Sequence, residues 1–312
     1  MLDLPSHERH RASAQERGGG RTFLLRDALQ AKESHVLEFV RVVNDPRSKL
    51  RGIAECPGTD ARLEASFAVS NRKKELMNAL GQPVGLSVPC WKPPGLPPRE
   101  PMVGRFCRVE PLNPRLHSDS LHAANSLDAE GRMWTYLPYG PFATLDEYRA
   151  WIEDVWRGSD PLLHAIIDTA TDRAIGVAGY LRIDPPNGSI EVGHLGYSPL
   201  LQRTPAATEA MYLMMARAFD LGYRRYEWKC HALNAPSRSA AQRLGFSFEG
   251  IFRQAAVVKG RNRDTAWYAA IDEEWPALRE AFARWLDPAN FDGQGKQRVR
   301  LSALTAKRLP NP

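Results

Sequence analysis

Residues 190–211 read IEVGHLGYSPLLQRTPAATEAM, and this stretch decides how the chain is organised. Its first eight residues form a strand, a short loop turns, and a helix begins at Thr204-Pro205. Thr suits the N-cap and Pro the first helical position, whose N–H has no intrahelical partner. Ala207, Ala210, Met211, Met214, Met215 and Ala218 then recur at helical spacing, so the methionines read as core. The first-turn amides of such a helix are unpaired and sit at the positive end of its dipole. Ala206 and Ala207 let a ligand approach the backbone, and Arg203 adds a formal positive charge. The segment is either a phosphate or pyrophosphate site or an ordinary capped helix.

Downstream, residues 223–230 alternate, with Tyr226, Trp228 and Cys230 on one face and Arg225, Glu227 and Lys229 on the other. Asn234-Ala235-Pro236-Ser237 opens a helix over 236–244, closed by Gly245-Phe246. Residues 246–258 and 264–271 form a hairpin around Lys259-Gly260-Arg261-Asn262, and 273–286 a closing helix. Upstream come a strand over 104–112, helices over 114–125 and 145–158, and strands over 162–168 and 174–183 joined by a tight turn. This order is that of an α+β fold, a mixed and mostly antiparallel sheet flanked by helices.

The formal charge of +6 belongs to the ends of the chain. Residues 1–82 carry 14 basic and 11 acidic side chains, residues 289–312 five and one, and the stretch between them 23 and 24. A near-neutral middle argues against nucleic acid as a partner, and the basic ends read as solvated. Residues 1–82 are taken as an N-terminal extension, disordered at first, with a helical pattern from Phe23 to Val43 and a short helix over 72–80. The proline-dense stretch 83–103 is an extended strap, 104–288 the folded domain, and 289–312 a basic tail. Cys56, Cys90, Cys107 and Cys230 form no C-x-x-C pair and read as reduced thiols of a cytoplasmic protein. No metal site, membrane span or secretory signal is expected; a monomer or a homodimer is.

QRTPAATEA at 202–210 and NAPSRSAAQRLGF at 234–246, in this order and spacing, resemble the pyrophosphate loop and the following Asn-to-Gly-Phe element of the GNAT superfamily of acyl-CoA N-acetyltransferases. FEGIFRQ at 248–254 and the final hairpin resemble its ribosomal-protein-alanine (Rim-type) acetyltransferase branch. The resemblance covers about residues 104–275. It implies a GNAT-like sheet, acetyl-CoA as co-substrate, and transfer of the acetyl group by direct attack to a primary amine, a protein N-terminus or a small amine. Three positions depart from the family pattern. Pro205 replaces the loop's central Gly and removes one N–H, while the amides of Arg203, Thr204, Ala206 and Ala207 remain. Ala241 stands where many members have a Tyr acid, and Ala256 where some ribosomal-protein enzymes have a Glu. These departures support an alternative, a catalytically impaired GNAT-like module that only binds acyl-CoA.

The resemblance also distributes roles. Gln202, Arg203, Thr204, Ala206 and Ala207 would hold the pyrophosphate. The Leu195 to Tyr197 amides would bind the acyl carbonyl, and Asn234 the pantetheine arm or its own loop. Glu191 matches the usual base, acting through water, or is a strand carboxylate paired across the sheet. His194 is the alternative base, expected on the opposite face from Glu191 by strand alternation. Ser237 caps its helix or donates a proton to the leaving thiolate. The aromatic run Trp134 to Pro141 is the wall of an acceptor pocket or a packed lid.

Overall fold

The computed structural model describes residues 77–306. The helical pattern of 23–43 and most of the helix expected over 72–80 lie outside them. The described end of the latter is a turn: Met77 bridges Pro83, and the Asn78 side chain accepts from the Leu80 and Gln82 amides. A side chain that takes local amides in this way competes with helix. The chain divides into two compact units, Met1–Cys90 and Trp91–Pro312. Cys90 is disulfide-bonded, against the expectation of reduced thiols throughout, whereas Cys107 and Cys230 are free and buried.

The second unit is built on one eight-stranded sheet. Its strands are β1 (Met102–Val103), β2 (Cys107–Pro111), β3 (Leu162–Asp168), β4 (Arg173–Asp184), β5 (Ser189–Tyr197), β6 (Arg225–His231), β7 (Ser247–Val258) and β8 (Arg261–Ile271). The spatial order is β1-β2-β3-β4-β5-β6-β8-β7. Every neighbouring pair is antiparallel except β5 and β6. The α+β expectation holds, with the strands starting within three residues of their expected limits.

Helices cover both faces. On one, α1 (Pro114–Asn125) and α2 (Leu145–Val155) pack against Leu163, Ala165, Ile167 and Val177. On the other, α3 (Pro205–Asp220), α4 (Ala235–Arg243) and α5 (Trp275–Leu286) close the larger core around Tyr180, Ile190, Met211, Met215 and Phe282. Buried Glu209 of α3 joins the layers, accepting from the Arg105, Phe106 and Cys107 amides at 2.6–2.9 Å. From Trp91 onward the strap is tied down: Arg99 donates to the Trp156, Arg157 and Gly158 carbonyls, and Arg217 to those of Glu100 and Pro101. β7 is an edge strand with two register shifts, one at Gly250 and one near Gln254, whose φ is +52°. No helix among the described residues is long and apolar enough to cross a membrane.

The C-terminal stretch departs from the solvated tail expected. Asn290 Nδ2 donates to the Trp285 and Val299 carbonyls, and its Oδ1 accepts from the Val299 amide. These bonds turn the chain into α6 (Leu301–Thr305), where Leu301 is buried against the main core and Thr305 donates to the Arg243 carbonyl. Basic Lys296, Arg298 and Arg300 mask this in the sequence, because the packing rests on a few scattered side chains, Phe291, Leu301, Leu304 and Thr305.

Two stability tests follow from this packing. Leu301→Ala should lower the unfolding free energy by about 2–5 kcal/mol; an unchanged urea midpoint would return the segment to a solvated tail. His164 of β3 is fully buried beside Tyr180, and burial, outweighing a backbone contact at Leu162 that works the other way, pushes its pKa down from 6.5 to about 4. The fold accepts only the neutral ring, so the unfolded chain binds the extra proton as the pH falls below 6.5. Stability should therefore be full above that value and decline toward about pH 4, and His164→Phe should flatten the decline in urea titrations across that range.

Candidate active site

The parallel pair β5–β6 is short. Ser189–Val192 pairs with Arg225–Trp228, and there the pairing ends, although β5 runs on to Tyr197 and β6 to His231. The sheet opens at this point. Just past the opening β5 carries a bulge: Gly193 lies opposite Gly179 and Gly196 opposite Val177, so His194 and Leu195 face the single residue Ala178. His194 has a φ of +51°, in the left-handed region that non-glycine residues rarely occupy. The backbone of His194 and Leu195 has no register partner in either neighbouring strand.

The bulge corrects one expectation. Alternation placed His194 on the face opposite Glu191; the extra residue turns it back. Its ring stacks parallel to Tyr139 of the α1–α2 connection at 5.6 Å, with Nδ1 3.2 Å from the Tyr139 hydroxyl. Burial, and then nearby Arg182, hold the His194 pKa below the usual histidine range, with Asp160 opposing.

Glu191 is buried, not exposed as a solvated strand carboxylate would be. Its Oε2 accepts from Arg182 Nε at 2.6 Å and lies 3.1 Å from Lys229 Nζ, and its Oε1 accepts from Arg182 Nη2 at 3.1 Å. Lys229, itself 4% exposed, also contacts Glu227 at 2.6 Å and sits 3.7 Å from the Trp267 ring centre. Arg225 extends the cluster to Glu227 and Glu249. Burial works to raise the Glu227 pKa, but its bonds to Arg225 and Lys229 prevail and hold it below the ordinary carboxylate range. With both oxygens held by two cations, Glu191 suits a fixed negative charge better than a direct proton acceptor. The sequence placed Arg225, Glu227 and Lys229 on one strand face; it did not place them beside Glu191, nor supply Arg182 from β4.

At the α3 start the Thr204 side chain accepts from the Ala207 amide at 3.2 Å, and the Thr204 amide donates to the Leu201 carbonyl at 3.3 Å. Two of the four expected anion donors are thus spent within the loop. The Arg203 and Ala206 amides have no protein partner among the described residues. Arg203 has a φ of +62° and is exposed. Gln202 donates to the Tyr197 carbonyl and so closes the loop on the strand end. Asn234, not Ser237, caps α4, accepting from the Ser237 amide; the Ser237 hydroxyl accepts from Trp228 Nε1 at 3.0 Å. Ala241 is fully buried in the main core, so the ring a Tyr would add has no room.

The aromatic loop is packed. Trp134, Phe142, Tyr148 and Trp151 meet at ring-centre distances of 5.3–6.5 Å. Lys259 at the β7–β8 tip donates to the Trp134, Tyr139 and Gly140 carbonyls at 2.9, 3.3 and 2.9 Å, spending all three of its protons. Tyr136 reaches across instead: its hydroxyl donates to the Leu233 carbonyl and its ring meets His231 edge-on. Neither tie is legible in the sequence, since both join segments about a hundred residues apart.

Removing one partner from a buried ion cluster leaves the others uncompensated. Glu191→Ala should lower the unfolding free energy by about 3–5 kcal/mol, with Glu191→Gln costing less because one accepting oxygen remains. A midpoint for Glu191→Ala equal to wild type in urea titration would mean that Lys229 finds water in its place.

A family model described as an acetyltransferase (GNAT) domain matches residues 108–247. The chain resembles a GCN5-related N-acetyltransferase from Brucella melitensis, 49% identical over 70% of this chain and 100% of that one, with a TM-score of 0.69. It is 40% identical to an acetyltransferase of the GNAT family from Chromobacterium violaceum, over 63% of this chain and 98% of that one, at a TM-score of 0.59. The ribosomal-protein-serine acetyltransferase of Escherichia coli is 33% identical over 106 residues, 32% of this chain and 56% of that protein. The opened β5–β6 pair and the helix start that follows it are therefore those of an acyltransferase, and the chain belongs to the GCN5-related N-acetyltransferase family.

Proposed function

We propose that the protein moves the acetyl group of acetyl-CoA directly onto a primary amine at the opening between β5 and β6, without an acyl-enzyme intermediate. The observation that carries this reading is the loss of pairing after Val192 together with the bulge at His194, which leaves the strand backbone from Leu195 to Tyr197 beside an open gap. Amides held there in advance can stabilise the oxyanion of a tetrahedral intermediate without reorganising. A thiolate nucleophile is disfavoured, since burial raises the pKa of both Cys107 and Cys230 above the ordinary thiol range.

In this reading the α3 start, from Gln202 through Arg203, Thr204 and Ala206 to Ala207, receives the pyrophosphate. The Arg203 and Ala206 amides and the Arg203 side chain are its open donors. Asn234 fixes the loop along which the pantetheine arm runs. Ser237, anchored by Trp228, stands at the head of α4 near the leaving sulfur. Glu191 contributes a fixed negative charge next to the incoming ammonium. Positioning and oxyanion contacts supply most of the acceleration. The acceptor is the amine of a protein N-terminal residue or a small amine, met in the cytoplasm. The relation to a ribosomal-protein-serine acetyltransferase supports the first.

Acetyl-CoA should raise the thermal midpoint by linkage. Asp is as good an N-cap as Thr, so Thr204→Asp keeps the helix while placing a negative charge against phosphate. It should weaken acetyl-CoA by at least about tenfold in calorimetric titration, roughly 1.4 kcal/mol. No thermal response of the folded wild type at millimolar acetyl-CoA would defeat the proposal.

A further inference from the structure

Resting on the transfer reading above, we infer that His194 is the residue that takes the proton from the acceptor ammonium, and that Tyr139 is a positioning residue that sets its tautomer. The bulge puts the His194 imidazole at the rim of the opening, on the face of the sheet that carries Glu191 and Lys229. The other face is closed there, since Val192, Trp228 and Cys230 are buried in the main core. The His194 side is therefore the one from which we infer that an amine meets a carbonyl held by the β5 backbone. Glu191, the carboxylate of β5, has its oxygens engaged by Arg182 and Lys229.

The groups around the ring agree with this role. Arg182 of β4 and Asp160, which precedes β3, act on it electrostatically, and Tyr139 contacts it directly. Burial and Arg182 favour the neutral imidazole, the form a base must start from. Burial also pushes the Tyr139 pKa well above the ordinary phenol range, so its hydroxyl stays neutral. If that hydroxyl accepts from Nδ1–H, the Nε2 lone pair is left for the substrate. The left-handed backbone at His194 has a cost that a purely structural residue would escape by being glycine.

The step balances without a further reactant. The ammonium gives one proton to Nε2, and the freed lone pair attacks the thioester carbon. The tetrahedral species collapses with cleavage of the C–S bond, and the second amine proton goes to the departing thiolate. The imidazolium then releases its proton to water.

Asn tolerates a left-handed backbone, so His194→Asn is the variant of choice, with Tyr139→Phe beside it. The assay follows thiol release from acetyl-CoA against pH, with seryl and alanyl peptides and simple alkylamines as acceptors. Wild type should rise on an acidic limb as the imidazole loses its proton. His194→Asn should lose that limb and about 10²–10⁴-fold in kcat, with acetyl-CoA affinity unchanged. Tyr139→Phe should keep the limb and lose about tenfold in kcat, a small fraction of what a general base contributes. A His194→Asn enzyme with the wild-type limb and kcat would overturn the role of His194, and an unaffected Tyr139→Phe the tautomer assignment. Wild type turning over no amine on the panel would instead overturn the transfer reading, and this inference with it.

Discussion

Everything functional in this molecule depends on a hydrogen-bond ladder that stops early. β5 is antiparallel to β4 along most of its length but parallel to β6 for only four residues, Ser189–Val192. A parallel neighbour is reached through a crossover helix, and α3 is that helix. Its first turn follows β5 after the loop 198–204. The end of the pairing leaves a slot in the sheet, and the chain that leaves β5 beside it leads into the N-terminus of α3. A thioester with a diphosphate-bearing tail has complementary chemistry at both ends, and neither feature could be moved along the chain without the other.

An opened sheet loses backbone bonds, and side chains on both sides of the slot replace them. On one face the rings of Tyr226, Trp228 and Phe246 pack beneath α4. On the other, Glu191 and Glu227 alternate with Arg182, Lys229 and Arg225 across three strands. A buried ion cluster contributes little net stability compared with apolar packing of the same volume, yet it penalises any register in which a charge loses its partner. Slipping β6 by one residue against β5 would turn Lys229 into the main core. The cluster thus fixes the register at the one place where the backbone ladder is too short to do so.

The regular part of this architecture could be read from residue types. The helix over Pro114–Asn125 and the strand over Leu162–Asp168 have the bounds the sequence implied, because caps and apolar period agree there. The α3 start was legible for the same reason, since Thr204 and Pro205 each fit one position only. What stayed hidden has a common cause. The bulge rests on a histidine between Gly193 and Leu195 holding a backbone conformation that no residue type announces. Lys259 and Tyr136 act through carbonyls far away in sequence, and any lysine or tyrosine reads the same before folding. The Glu191 cluster needed three strands to be adjacent before its charges meant anything. The catalytic roles given to Glu191 and Ser237 came from position in a motif, and the bonds these residues make are what redistribute the chemistry toward the bulge.

The irregular edge strand has a bearing on how the chain survives in a crowded solution. β7 is last in the sheet, and Phe248, Ile251, Phe252 and Val257 are all well exposed on it. A straight ledge of that composition is a template onto which a stray extended peptide, or an unfolded copy of the same chain, could add itself. The shifts at Gly250 and Gln254 break the ledge into short pieces that do not lie in one plane. A strand approaching from outside could satisfy only a few amides before the edge turned away, so the same irregularity that roughens the sheet guards against fibrous self-association.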